Sequence, residues 1–115
     1  MIKDLEHDGD WAALLQRSRS RPVFLLKHST RCSISAAALR EYRHFEATEP
    51  GAELWRVLVI EKRLLSAKVA SESGLRHESP QVLLLSGGQV VWHASHWSIT
   101  EEAMADALRK ATAVQ

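Results

Sequence analysis

Two short runs of β-favouring residues, "VFLLK" (Val23 to Lys27) and "LWRVLVI" (Leu54 to Ile60), restrict this chain more than anything else in it. A strand wetted on one face alternates apolar with polar residues, whereas a near-continuous apolar run belongs to a strand covered on both faces. Covering both faces takes helices above and below the sheet. A helix pattern lies between the two runs: Ile34, Ala38, Tyr42 and Phe45 follow one helical face, and Arg40, Arg43 and Glu46 fall off it. This helix begins at or beside Cys32, and "TEPG" (Thr48 to Gly51) makes the turn after it. Strand, helix, strand in that order predicts a right-handed parallel crossover.

The flanking segments extend the pattern. Asp10 is placed to cap a helix with Trp11, Leu14 and Leu15 inward, ending near Ser20 before the break at Arg21-Pro22. "EKRLLSAKVASES" reads as a helix with Leu64, Leu65 and Val69 inward and Gly74 at its C-terminal cap. "QVLLL" and "QVVWHA" flank Ser86-Gly87-Gly88, which predicts an antiparallel hairpin with a type I′ turn. "SITEEAMADALRKATAV" is the last helix, through Val114, with Thr100 as N-cap or Ser98 to Glu101 as a rival capping box, and with Met104, Ala107 and Leu108 inward.

The full order is α-β-α-β-α-β-β-α, without repeat or linker. It predicts one thioredoxin-like domain over residues 1–115: a mixed four-stranded sheet, strands ordered 2-1-3-4, with helices on both faces.

Composition bounds the partners. With 45% hydrophobic and 25% charged residues in 115, the chain is globular, and a net charge of +1 favours no charged partner. The one basic cluster, "RSRSR" (Arg17 to Arg21), reads as a solvated helix end, so no nucleic-acid partner is expected. The longest aliphatic runs fall far short of a membrane span and the N-terminus lacks an apolar signal core, so a cytoplasmic protein without a membrane partner is expected. A single cysteine excludes an internal disulfide and fits a reducing compartment.

That cysteine is the candidate for chemistry. Cys32 stands where a strand delivers the chain to a helix N-terminus, where unpaired N–H groups and the helix dipole favour an anion such as a thiolate. Thr30 and Arg31 precede it in a polar loop, and Arg31, with Lys27 and His28 slightly earlier, is expected to add positive charge that lowers the thiol's pKa further; Ser35 follows one helical turn on. Cys32-Ser33-Ile34-Ser35 has the spacing of a C-x-x-C redox motif with serine in place of the second sulfur. The Ser35 hydroxyl is either a hydrogen-bond donor to the thiolate or a plain helix-surface group. Without a second sulfur, exchange must pass through an intermolecular mixed disulfide that an outside thiol resolves.

Two further segments bear on the site. Pro80 follows Ser79 just before a strand; a trans bond is the default there, whereas a cis bond would turn the Ser79 N–H and C=O to face the cysteine. An extended partner could then pair with Ser79 in strand fashion. His93 and His96 are three residues apart and point to opposite faces of a strand, so no metal is expected.

Together, "KHSTRCSIS", "HESPQVL" and "WHASHWSIT", spread from Lys27 to Thr100, resemble the monothiol bacilliredoxin family, small thioredoxin-like proteins of the bacillithiol system. The resemblance implies a thiol-disulfide exchange enzyme that removes bacillithiol, a low-molecular-weight thiol, from S-bacillithiolated client proteins. It implies Cys32 as nucleophile, Ser35 at the vacant resolving position and Pro80 as a cis proline. It also implies no permanently bound cofactor, with bacillithiol as co-substrate. Similarity to glutaredoxin-type folds implies that Ser95 and His96, with Trp97, contact the small thiol; loop packing and helix capping are the alternative. The family places proline directly after the cysteine, where this chain has Ser33. Two other readings stay open: a non-catalytic thioredoxin-like module that binds extended peptides, and an arsenate-reductase-like thiol reductase. The latter expects clustered arginines, and only Arg31 is close to Cys32 in sequence.

Overall fold

Two fully buried strands lie side by side at the centre of the sheet, and their aliphatic side chains divide evenly between its faces. The computed structural model describes residues 1–113. In chain order the elements are β1 (Lys3–Asp4), α1 (Asp10–Arg17), β2 (Val23–His28), α2 (Ser33–Thr48), β3 (Glu53–Leu58), α3 (Arg63–Ser73), β4 (Gln81–Ser86), β5 (Gln89–Ser95), a 3-10 turn (His96–Ser98) and α4 (Glu101–Ala113). The sheet runs β1-β3-β2-β4-β5. β2 is parallel to β3 and antiparallel to β4, and β5 is antiparallel to β4.

Every residue of β2 and β4 is buried. Alternation along the strands sends Phe24, Leu26, Val82 and Leu84 to one face, where Tyr42 and Phe45 of α2 and Met104 of α4 meet them. Val23, Leu25, Leu83 and Leu85 go to the other, against Trp11 and Leu14 of α1 and Leu65 and Val69 of α3. Each large apolar side chain so buried contributes about 1.5–3 kcal/mol. These two clusters hold the helices on both faces that the aliphatic runs require.

The four expected strands occupy their expected order, but the sheet has a fifth. Lys3–Asp4 pairs in parallel with Trp55 and Arg56 at the edge of β3. Arg56 donates to both carboxylate oxygens of Asp4, Nε to Oδ1 at 2.7 Å and Nη2 to Oδ2 at 3.1 Å. The Lys3 ammonium sits 5.4 Å from the Trp55 ring centroid, and the Leu5 N–H continues the pairing onto the Arg56 carbonyl at 2.8 Å. A two-residue strand has no period of its own. Its partners are distant in sequence, which is why the expectation stopped at four.

Several boundaries also differ from the sequence reading. β3 ends at Leu58 and is only half-buried, because its outer neighbour is the short β1. Ile60 consequently lies outside the strand and is exposed. In α3, Leu65, Ser66 and Val69 face inward while Leu64 is 84% exposed, so the expected inward Leu64 is corrected. In α2, Ser35 shares the buried face with Ala38, Tyr42 and Phe45, whereas Ile34 is half-buried. Leu108 of α4 is likewise only partly buried against its cluster.

At the first helix, Asp10 lies inside α1, preceded by Gly9, and its carboxylate turns back to accept the Glu6 and His7 N–H groups. The helix stops at Arg17 because Ser18 is taken up elsewhere. Its carbonyl accepts the Gly87 N–H at 2.8 Å and its hydroxyl the Gly88 N–H at 3.0 Å, joining α1 to the β4–β5 turn. Gly87 and Gly88 both have positive φ, as a type I′ turn demands. A Cβ on Gly88 would also stand 3.1 Å from the Arg19 guanidinium. Arg17 forms an ion pair with Glu53, so the basic cluster fastens α1 to β3. At α4, Thr100 is the cap: its hydroxyl accepts the Ala103 N–H at 3.1 Å. The expected end of that helix at Val114 lies outside the described residues.

Candidate active site

Register brings the site together. Lys27 of β2 is paired with Val57 of β3 and Gln81 of β4, and Gln81 with Ser95 of β5. These four residues form one row across the sheet, with neighbouring strands about 4.8 Å apart. Beyond that row the chain enters or leaves the sheet at one end. Ser29 to Cys32, Val59 to Lys62, Ser79-Pro80 and His96 therefore rim the same edge.

Cys32 occupies the N-cap of α2 in extended backbone conformation, φ −122° and ψ 127°. It is half-exposed, and its carbonyl accepts the Ala36 N–H at 3.0 Å. The thiol is held below the ordinary cysteine range by the backbone N–H groups of Ser35 and Ile34, against opposing desolvation and with a still smaller contribution from the Ser35 hydroxyl. The physical cause is the set of unpaired donors at a helix start.

Ser35 is fully buried, which rules out the helix-surface alternative. Its oxygen accepts the Ser29 N–H at 3.3 Å while its hydroxyl serves Cys32, so one side chain ties the approach loop to the thiol. Arg31 was expected to supply positive charge. Its N–H instead donates to the Ser29 hydroxyl at 3.4 Å, its side chain is exposed, and neutral donors account for the lowered thiol. Thr30 turns its hydroxyl to the Glu61 carboxylate at 3.2 Å, bridging the cysteine loop to the segment after β3.

The Ser79–Pro80 bond is cis. Ser79 lies outside β4, and its side-chain oxygen is buried without a partner. Behind it, the Pro80 carbonyl accepts the His96 N–H at 3.0 Å, and the Ser95 hydroxyl donates to the Glu78 carboxylate. That hydrogen bond is the main reason the Glu78 carboxyl is held below its ordinary value. Ser95 and His96 thus support the segment from Glu78 to Pro80. His96 does so at φ 54°, a left-handed conformation uncommon for a side chain with a Cβ. Its ring and that of Trp97 are exposed.

Lys27 and His28, the two cations that precede the cysteine loop, are buried, and neither is among the groups that lower the Cys32 thiol. His28 is 6% exposed, lies against the Ser35 carbonyl and has an unpartnered Nδ1; burial is the main cause that lowers its pKa. Lys27 is fully buried and donates from Nζ to Gln81 Oε1 at 3.1 Å. Burial pushes its ammonium down to about 8 despite the opposing pull of Glu78. A lysine closing the aliphatic run "VFLLK" was the available signal for its burial.

Among the described residues, no group of three or more His, Cys, Asp or Glu side chains converges as a metal site. The described residues also contain no helix long and apolar enough to cross a membrane.

The family model described as monothiol bacilliredoxin BrxC matches residues 3–104. The chain belongs to the monothiol bacilliredoxin family. A structure described as a candidate oxidoreductase with a thioredoxin fold is 29% identical to this bacilliredoxin-family chain, covers 92% of each, and superposes with a TM-score of 0.84. Thioredoxin from Fasciola hepatica is 15% identical, covering 95% of this chain and 98% of its own, with a TM-score of 0.76. Spinach chloroplast thioredoxin f is 16% identical, covering 96% and 93%, with a TM-score of 0.75. The latter two share the fold. Family and fold together make the protein a thioredoxin-like thiol oxidoreductase.

Proposed function

We propose that this protein removes bacillithiol, or a closely similar low-molecular-weight thiol, from mixed disulfides on client proteins in a reducing cytoplasm. The observation that carries the reading is the placement of the chain's only sulfur nucleophile: Cys32 caps α2, half-exposed, with its thiolate favoured by two backbone N–H groups and the Ser35 hydroxyl. The Cys32 thiolate attacks the bacillithiol sulfur of the client mixed disulfide. A new Cys32–bacillithiol disulfide forms, the old disulfide breaks, and the client sulfur leaves as a thiolate. A second bacillithiol thiolate then attacks that sulfur, releasing bacillithiol disulfide and restoring Cys32. No electron is gained from outside these thiols, and bacillithiol serves as co-substrate.

The Ser79 N–H and C=O are suited to pair with an extended segment flanking the disulfide, in the manner of an added strand. His96 and Trp97, exposed in the 3-10 turn after β5, are suited to contact the small thiol. The test offers a bacillithiolated model protein and follows transfer by intact mass. Wild type should take up one bacillithiol as the client is freed, and Cys32→Ser should not. Equal, slow release by both proteins would refute the reading.

A further inference from the structure

Lys27 is a fully buried cation at the end of an otherwise aliphatic strand. Burying an ammonium costs several kcal/mol after relaxation, and a methionine would fill the same space without that cost. The thiolate does not account for it. Lys27 follows Val23 and Leu25 onto the face covered by α1 and α3, whereas α2, which carries Cys32, packs on the opposite face. The groups that lower the Cys32 thiol are Ser35 and Ile34, not Lys27.

What Lys27 does reach is the segment leading to Pro80. Its Nζ donates to Gln81 Oε1 at 3.1 Å, and Gln81 Nε2 donates onward to the Arg76 carbonyl at 3.3 Å. Gln81 is 2% exposed and directly follows Pro80. One amide side chain therefore spans the segment from Arg76 to Pro80 on the face opposite the cysteine's helix, and its orientation depends on Lys27. With an ammonium, which only donates, at one end, the Gln81 oxygen must face Lys27 and its NH2 must face Arg76. The charged neighbours of Lys27 also belong to this segment: Glu78 attracts it, and His77 is held down by burial first and by Lys27 next. From β5, the His96 N–H and the Ser95 hydroxyl hold Pro80 and Glu78.

We infer that Lys27 is a positioning residue, acting through Gln81 to fix the Ser79–Pro80 backbone against which the disulfide partner docks. The inference rests on the proposed exchange reaction and adds a residue that never touches the reacting sulfurs. Removing Lys27 frees the Gln81 amide to turn over and lets the segment shift, so docking weakens while the thiolate keeps its donors.

Lys27→Met, Gln81→Met and the double variant test this. With a bacillithiolated client, each single variant should raise KM about tenfold, the loss expected from one hydrogen bond to a charged group, with kcat unchanged. Alkylation of Cys32 by iodoacetamide, which needs no docking, should keep the wild-type rate. The double variant should lose no more than the worse single one, and amide hydrogen exchange should accelerate over residues 76–80 in all three. Unchanged KM in the single variants, slowed alkylation, or losses that multiply in the double variant would each overturn the inference. The exchange measurement uses no substrate. If wild type fails to turn over bacillithiolated clients, the proposed function falls, while unaltered exchange over 76–80 in the variants would separately sink the tether.

Discussion

The buried Lys27 makes stability depend on alkaline pH in a way that one substitution should erase. An unfolded lysine titrates near 10.4, and burial lowers the folded value to about 8. Between those values the folded chain has released a proton that the unfolded chain still holds, so stability rises with pH across this window. The sign is opposite to that of a lysine gaining a salt-bridge partner. From about pH 7.5 to about pH 9.5 the rise assignable to Lys27 is about 2 kcal/mol, from the two titration curves. Tyr42, whose phenol burial pushes well up, works in the opposite sense only at still higher pH, which sets the upper limit of the comparison. Urea unfolding followed by tryptophan fluorescence at the two pH values, for wild type and Lys27→Met, measures the effect. Wild type should gain about 2 kcal/mol more than the variant on going to the higher pH. Cys32 contributes equally to both proteins and cancels. An identical pH response in the two would refute the reasoning, because the Lys27 proton would then be as firmly held folded as unfolded.

Two further outcomes follow from the site and the core. The rate of Cys32 alkylation against pH should show a midpoint below that of ordinary free cysteine, and Ser35→Ala should move it upward, since the lost hydroxyl is one of the donors favouring the thiolate. A midpoint unmoved by Ser35→Ala would remove Ser35 from that role. In α3, Leu65→Ala should cost about 2–5 kcal/mol in urea unfolding while Leu64→Ala changes stability by less than about 0.5 kcal/mol, because Leu65 is buried and Leu64 is not; comparable losses would contradict the helix orientation.

Sequence reading succeeded where short-range sterics decide the outcome. Gly74 takes a left-handed conformation at the end of α3, Gly87 and Gly88 do so in the hairpin, and Thr100 caps α4. Each follows from the residue's own backbone freedom or a donor three residues away. It was weaker where a helix offered two candidates for one face. Leu64 and Leu65 are adjacent leucines, and hydrophobicity alone cannot rank them; the packing of Leu65 and Val69 under β2 and β4 does. Ser35 was ambiguous for the converse reason, since a polar residue on a buried face becomes intelligible only when Ser29 and Cys32 are seen beside it.

By itself, then, the sequence determined the layered architecture, the strand order and the single sulfur at a helix start. Continuous aliphatic runs demand cover on both faces, and one cysteine permits only one partner thiol at a time. Tertiary structure alone decided the fifth strand, which pairs where Asp4 meets Arg56; the burial of Ser35 and the exposure of Arg31 on either side of the thiol; and the orientation of Lys27 under the Pro80 segment. Those depend on contacts between residues far apart in the chain, whose approach is set by strand register and helix packing rather than by any local pattern.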